Sequence, residues 1–112
     1  MSQITTHILD TARGKPAEGM TVLLFQQQAE TWRQISLKAS DDNGRITDLL
    51  QPEIVLEPGQ YRLRFETKSY FEQAGTICFY PFVEINFHIT GPEHYHIPLL
   101  ISPFGYTTYR GS

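Results

Sequence analysis

Apolar residues in this chain recur at every second position, in short segments that are repeatedly cut by turn signals. Tyr61, Leu63 and Phe65 alternate with Arg62, Arg64 and Glu66, and Val83, Ile85, Phe87 and Ile89 alternate with Glu84, Asn86, His88 and Thr90. Tyr95, Ile97, Leu99 and Ile101 form a third series, while Ile35 and Leu37 alternate with Gln34, Ser36 and Lys38. Successive side chains of a strand point to opposite faces, so a strand that buries one face needs an apolar residue at every second position. Turns at Gly14-Lys15-Pro16, Asp41-Asp42-Asn43-Gly44, Pro58-Gly59, Gly91-Pro92 and Pro103-Phe104-Gly105 separate these segments. The pattern predicts an all-β sandwich of about seven or eight antiparallel strands.

Three segments depart from simple alternation. Val22-Leu23-Leu24-Phe25 is apolar on both parities, as expected for a strand covered on both faces, for instance at an interface. Lys68-Ser69-Tyr70-Phe71-Glu72-Gln73-Ala74-Gly75 has good helix formers ending in glycine, which predicts one short helix between strands. Pro98 lies inside the late strand but cannot donate to a ladder, so a bulge or an unpaired position is expected there.

Composition narrows the class. At 112 residues the chain suits one domain and has no room for a separate cofactor module. A chain of this size buries roughly two-thirds of its extended surface, enough for one core without staples. A net charge of −3 and a pI near 5.7 argue against nucleic acid or an anionic membrane as partner. The lone Cys78 excludes an intramolecular disulfide and a Cys-based metal site, and is expected to be a small buried apolar residue. Residues 1–7, Met1-Ser2-Gln3-Ile4-Thr5-Thr6-His7, show no basic region followed by an apolar stretch, so a soluble, cytoplasmic protein is expected.

Four histidines are available for chemistry: His7, His88, His94 and His96. His94 and His96 sit two apart in a strand pattern and so share a face, opposite Tyr95, Ile97 and Leu99. His7 falls in a first strand, 4–10, on the face of Thr5 and Leu9. Taken singly, each histidine reads as a half-exposed polar residue of a sheet, and Arg45 as a solvated surface arginine. A His-x-His pair with a third histidine is also compatible with zinc, using His7, His94 and His96. No Gly-x-Ser-x-Gly elbow is present. The last four residues, Tyr109-Arg110-Gly111-Ser112, carry a phenol, a guanidinium, a glycine, a hydroxyl and a free carboxylate directly after a strand and a turn. They read either as an exposed tail or as one wall of a polar site.

Three motifs together favour the site. Thr6-His7-Ile8-Leu9-Asp10 is followed by Gly14-Lys15-Pro16-Ala17, then Phe79-Tyr80-Pro81, and a terminal block runs from His94-Tyr95-His96 to Tyr109-Arg110-Gly111-Ser112. In these motifs the chain resembles the transthyretin-related 5-hydroxyisourate hydrolases of urate breakdown, over essentially its whole length. Thr107 is a departure, since serine is common there in the family. The resemblance implies a single domain, 1–112, with a transthyretin-like (prealbumin-like) sandwich of two four-stranded antiparallel sheets and one short α-helix. It implies a homotetramer, a dimer of dimers, with active sites between subunits and neither cofactor nor metal.

Carried over by motif, the functional residues are His7, Arg45, His96 and the terminal Tyr109, Arg110, Gly111 and Ser112. The implied reaction adds water to a ring carbonyl of 5-hydroxyisourate and opens the six-membered ring, giving 2-oxo-4-hydroxy-4-carboxy-5-ureidoimidazoline. His96 and His7 then share the base and acid roles in either order, and Arg45 stabilises the developing oxyanion. Ser112 hydrogen-bonds the water or the base, with its carboxylate near Arg45 or an imidazolium, and Tyr109 packs on the flat substrate; Arg110 and Gly111 help bind it. His88 and His94 are left with structural roles. The competing readings are a non-catalytic transthyretin-like carrier of small ligands and the zinc-binding protein.

Overall fold

Two sheets face each other across one apolar core in the computed structural model, which describes residues 2–112. In chain order the elements are β1 (Ile4–Asp10), β2 (Lys15–Pro16), β3 (Thr21–Gln28), β4 (Thr31–Ala39), β5 (Arg45–Ile46) and β6 (Gly59–Phe65), then α1 (Thr67–Gln73), β7 (Val83–Ile89), β8 (Tyr95–Ser102) and β9 (Gly105–Thr108). One sheet is four-stranded and antiparallel, in the order β4-β3-β6-β7. The other runs β2-β1-β8-β9, and the two-residue β5 joins it by pairing with β1.

That second sheet corrects one expectation. It holds five strands rather than four, and β1 and β8 pair in parallel from Ile4↔Tyr95 to Asp10↔Ile101. Parallel neighbours cannot be joined by a hairpin and need a crossover. Here the crossover is the whole of the opposite sheet plus α1, so the first strand meets a partner about ninety residues later.

The core follows from the alternation. Ile4 and Ile8 of β1 and Tyr95, Ile97, Leu99 and Ile101 of β8 are buried against Val22, Leu24, Tyr61, Leu63, Phe65, Val83 and Ile89 of the facing sheet. Each large apolar side chain so buried contributes about 1.5–3 kcal/mol relative to exposure. The alternation overstates burial at the edges. Leu37, paired with Leu23 on the outer face of its sheet, is 54% exposed, and Ile85 and Phe87 of edge strand β7 are only half-buried. In β3, Val22 and Leu24 are buried while Leu23 and Phe25 are half-buried on the outer face. Cys78 is half-buried rather than buried, its thiol set 3.1 Å from the Tyr80 carbonyl.

The helix forms where expected, one residue early at Thr67, and Gly75 just beyond it takes a left-handed φ of 72°. Tyr70 anchors it to the other sheet by donating to Asp10 Oδ2 at 2.8 Å. Asp10 is fully buried, and its other oxygen accepts the backbone N–H groups of Ala12 and Arg13, both at 3.1 Å. Among the described residues, no helix is long and apolar enough to cross a membrane.

Tyr70→Phe is therefore expected to cost about 1–3 kcal/mol, because it strips one partner from a buried carboxylate. Burial, and then the neighbouring Asp10, push the phenol up from 10.0 to about 12. A pKa raised on folding gives stability that is whole below pH 10 and lost as pH rises toward 12. Urea denaturation of wild type and Tyr70→Phe should show a gap that is constant to pH 10 and then narrows; a gap constant to pH 12 refutes the assignment.

Candidate active site

The outer face of the mixed sheet gathers the polar side chains. In β1 the even-numbered residues point to the core and leave Thr5, His7 and Leu9 outside. In β8 the odd-numbered residues are the core set and leave His96, Pro98 and Leu100 outside. The parallel register puts Thr5 beside His96 and His7 beside Pro98. On the other side of β1, His7 pairs with Arg45.

Arg45 is delivered by a tight turn. Asp41 Oδ1 accepts the backbone N–H groups of Asn43 and Arg45, each at 2.9 Å, and the Gly44 amide donates to the Asp41 carbonyl at 2.9 Å. Gly44 has a φ of 73°, and a Cβ there would collide with the Ile8 carbonyl oxygen. Only glycine permits both the left-handed backbone and this close approach. Its carbonyl accepts from the Ile8 amide at 2.7 Å, which fixes Arg45 against β1.

The end of the chain is held in register too. The β9 ladder on β8 stops at Leu99↔Thr108 and resumes as a single bridge, His96↔Gly111, with Gly111 N–H donating to the His96 carbonyl at 2.8 Å. The interruption falls at Pro98, whose missing donor faces this side, and Thr108 Oγ1 donates to its carbonyl at 2.7 Å instead. Of the two expectations for Pro98, the unpaired position is found on the β9 side, while on the other side Pro98 keeps its place opposite His7 in the β1 ladder with no bulge. A Cβ on Gly111 would lie 2.6 Å from His96 Cδ2 and 3.3 Å from Pro98 Cγ, so the backbone lies flat on the imidazole edge.

These contacts enclose a cavity of about 160 Å³ lined by Thr5, Thr6, Arg45, Thr47, His94, His96 and Ser112. Arg45, His96 and Ser112, predicted from sequence, are thus brought together. His7 borders them through its pairing with Arg45 but does not line the cavity. Tyr109 and Arg110 line a different, more apolar cavity of about 330 Å³ with Ile85, Phe87, Tyr95 and Ile97. There the Arg110 guanidinium lies over the Tyr95 ring at 4.5 Å and 3.9 Å from the exposed Glu93 carboxylate. Exposed His88 lines the same larger cavity.

Thr5 belongs to the polar cluster although sequence reasoning did not name it, and so does His94, which was expected to be structural or, in the zinc reading, a ligand. Buried Thr5 sets its Oγ1 2.8 Å from His96 Nδ1 and 2.8 Å from His94 Nε2. The period-two pattern placed Thr5 on the face of His7, but nothing local announced that β8 would lie beside it. His96 is half-buried, and its pKa falls below the usual 6.5, first through burial and then through repulsion by His94, Arg45 and His7. It therefore stays a neutral imidazole under mildly acidic conditions, able to take a proton. Arg45 offers a fixed cation at the same cavity. Among the described residues, no group of three or more His, Cys, Asp or Glu side chains is gathered as a metal requires, so the arrangement does not favour the zinc reading.

Gly111→Ala should lift the terminal segment off His96. Hydrogen exchange at the residue-111 amide is expected to speed up about tenfold, as a bond of roughly 1.4 kcal/mol is lost, with little change in global stability. Unchanged protection of that amide would show that the close packing is dispensable.

Comparison with known proteins places this geometry in a family. The sequence profile described as "HIUase/Transthyretin family" matches residues 4–111. The chain is 46% identical over 110 residues to the 5-hydroxyisourate hydrolase of Salmonella dublin, covering 97% of this chain and 80% of that protein. The structure of Klebsiella pneumoniae 5-hydroxyisourate hydrolase superposes with a TM-score of 0.86 at 37% identity, covering 97% of this chain and 98% of that one. Sea bream transthyretin in complex with thyroxine superposes with a TM-score of 0.91 at 33% identity, covering 98% and 95%. With a matching profile over nearly its full length, the chain belongs to the HIUase/Transthyretin family.

Proposed function

We propose that this protein is a hydrolase that opens the lactam ring of 5-hydroxyisourate, acting in urate breakdown and as a single domain over residues 1–112. The observation that carries the reading is the half-buried His96, its Nδ1 tied to Thr5, sharing a small polar cavity with the Arg45 guanidinium. The superposition is slightly closer on thyroxine-bound transthyretin than on the hydrolase. Shared fold does not fix function, however, and the residues of the site do. A carrier of apolar ligands gains nothing from an imidazole, a guanidinium and a hydroxyl converging on one cavity.

In the proposed mechanism the neutral His96 and the neighbouring His7 act as the base and acid pair. One takes a proton from water as its oxygen bonds to the ring carbonyl carbon. Arg45 binds that carbonyl oxygen as it gains negative charge. The C–N bond then breaks, and the other imidazole, or the same one returning its proton, protonates the departing nitrogen. Ser112, exposed at the rim of the cavity, hydrogen-bonds the water. Tyr109, Arg110 and Gly111 contribute to substrate binding, Gly111 by holding the terminal segment against His96 and the other two from the adjoining cavity.

A cavity of about 160 Å³ falls short of the roughly 300 Å³ at which small-molecule sites usually begin. We take this shortfall as support for a homotetramer, a dimer of dimers, in which a neighbouring subunit closes the site. The edge strands β7 and β9, each paired on one side only, offer backbone for such contacts.

Freshly generated 5-hydroxyisourate should lose its ultraviolet absorbance far faster with the protein than without; a spontaneous rate at micromolar protein removes the assignment and leaves the carrier. Arg45→Ala and His96→Ala should each lower turnover by about two to four orders of magnitude, and near-normal turnover in either overturns its role. Because the His96 pKa is lowered, the base form persists as pH drops through 6.5. The pH profile of kcat/KM should accordingly hold its plateau below that pH and fall only at more acidic values.

A further inference from the structure

Among the described residues, Thr5 is the one side chain hydrogen-bonded to two imidazoles. Its Oγ1 lies 2.8 Å from His96 Nδ1 and 2.8 Å from His94 Nε2, and the residue is 3% exposed. A hydroxyl carries one proton and two lone pairs. No other hydrogen bond to this hydroxyl is present among the described residues, and a buried donor does not go unpaired. Its proton must point at one of the two nitrogens, and the other nitrogen must donate to it. The two rings are therefore coupled: the tautomer of one fixes the tautomer of the other.

We propose that Thr5, backed by His94, is a positioning residue that holds His96 in the Nδ1–H tautomer and so frees its Nε2 lone pair for the reaction. This assignment rests on the hydrolase reading and extends it by making His96 the base. The hydrogen-bond direction follows from the surroundings. Nδ1 is engaged by Thr5, so only Nε2 is left for the cavity, and the Cδ2 edge next to it is sheathed by Gly111. Arg45 stands on the same cavity, and a cation across the space favours a lone pair over an N–H aimed at it. With Nδ1–H donating to Thr5, the threonine hydroxyl must donate to His94 Nε2, and neutral His94 keeps its proton on Nδ1.

The other charged or titratable groups acting on His96 are His7 from β1, Arg45 from β5 and His94 itself, with Ser112 on the same cavity. None of them contacts His96 Nδ1, so the tautomer is decided at Thr5. The logic is that of an imidazole base oriented by a third group through its far nitrogen. Here the third group is neutral and is itself aimed by a solvent-exposed histidine. His94, sharing a strand parity with His96 and stacked near it at 6.2 Å between ring centroids, thereby acquires a task beyond filling the surface.

Three variants of the full chain test this: Thr5→Val, which keeps shape and removes the hydroxyl; Thr5→Ser, which keeps the hydroxyl; and His94→Phe. Thr5→Val is expected to lower kcat about 10- to 100-fold, the usual cost of losing an outer orienting partner, with KM changed less than about threefold. Thr5→Ser should restore kcat to within about threefold of wild type. His94→Phe frees the threonine proton to turn onto His96 Nδ1 and should lower kcat in the same range, and combining it with Thr5→Val should add little.

The readout that a merely structural role would not move is the nitrogen-15 NMR signature of the His96 ring. It should show Nδ1 protonated in wild type and Thr5→Ser, and Nε2 protonated, wholly or in part, in Thr5→Val and His94→Phe. An unchanged His96 tautomer in these variants overturns the proposal whatever their rates, as does wild-type kcat in the face of a changed tautomer. Should Thr5→Val not fold, His94→Phe decides alone, since its side chain is exposed. The tautomer is read without substrate, so failure of the hydrolase reading, seen as no turnover by wild type, is told apart from failure of the Thr5 assignment.

Discussion

Everything in the site hangs on the parallel pairing of β1 with β8. Parallel strands hold matched residues side by side on one face, and the register from Ile4↔Tyr95 to Asp10↔Ile101 makes Thr5 the neighbour of His96. The same pairing buries Ile4 and Ile8 with Tyr95, Ile97, Leu99 and Ile101. A slip of one residue would turn the apolar set of β8 outward and its His96 into the core. The hydrophobic free energy of the core therefore sets the geometry of the polar face, because the two faces of a strand cannot be adjusted independently.

Two devices attach further groups to that pair. On one flank, the turn 41–44 folds back on β1 and pins Arg45 beside His7. On the other, the last residues run along β8 as far as the Gly111 bridge, skipping the one rung that Pro98 cannot supply. Both depend on glycine at a point of close approach, against the Ile8 carbonyl at Gly44 and against the His96 ring at Gly111. The cluster is a consequence of backbone pairing, with Thr5 tying its imidazoles together.

Fold class was legible at the level of single strands. The series at Tyr61, Val83 and Tyr95 appeared as strands, the helix fell at Thr67–Gln73, and the two-sheet sandwich followed. Where the reading went astray, the cause was always a neighbour. Leu37 is exposed because its pairing with Leu23 sets it on the outer face of the sheet. The second sheet is mixed because its first strand pairs with a distant parallel partner instead of a hairpin mate. The expected site residues separate for the same reason: Arg45, His96 and Ser112 share a cavity, while Tyr109 and Arg110, next to Gly111 in sequence, line another.

By itself the sequence determined which residues alternate, where the chain turns, and that His94 and His96 must share a face, since these follow from the two-residue repeat and from local turn chemistry. Only the tertiary structure decided that Thr5 meets both imidazoles, that Arg45 lies beside His7, and that Gly111 rests on His96. Strand partners are chosen by the burial of whole faces over the entire core. No local segment carries that information, so the meeting of residues about ninety positions apart cannot be read from either one.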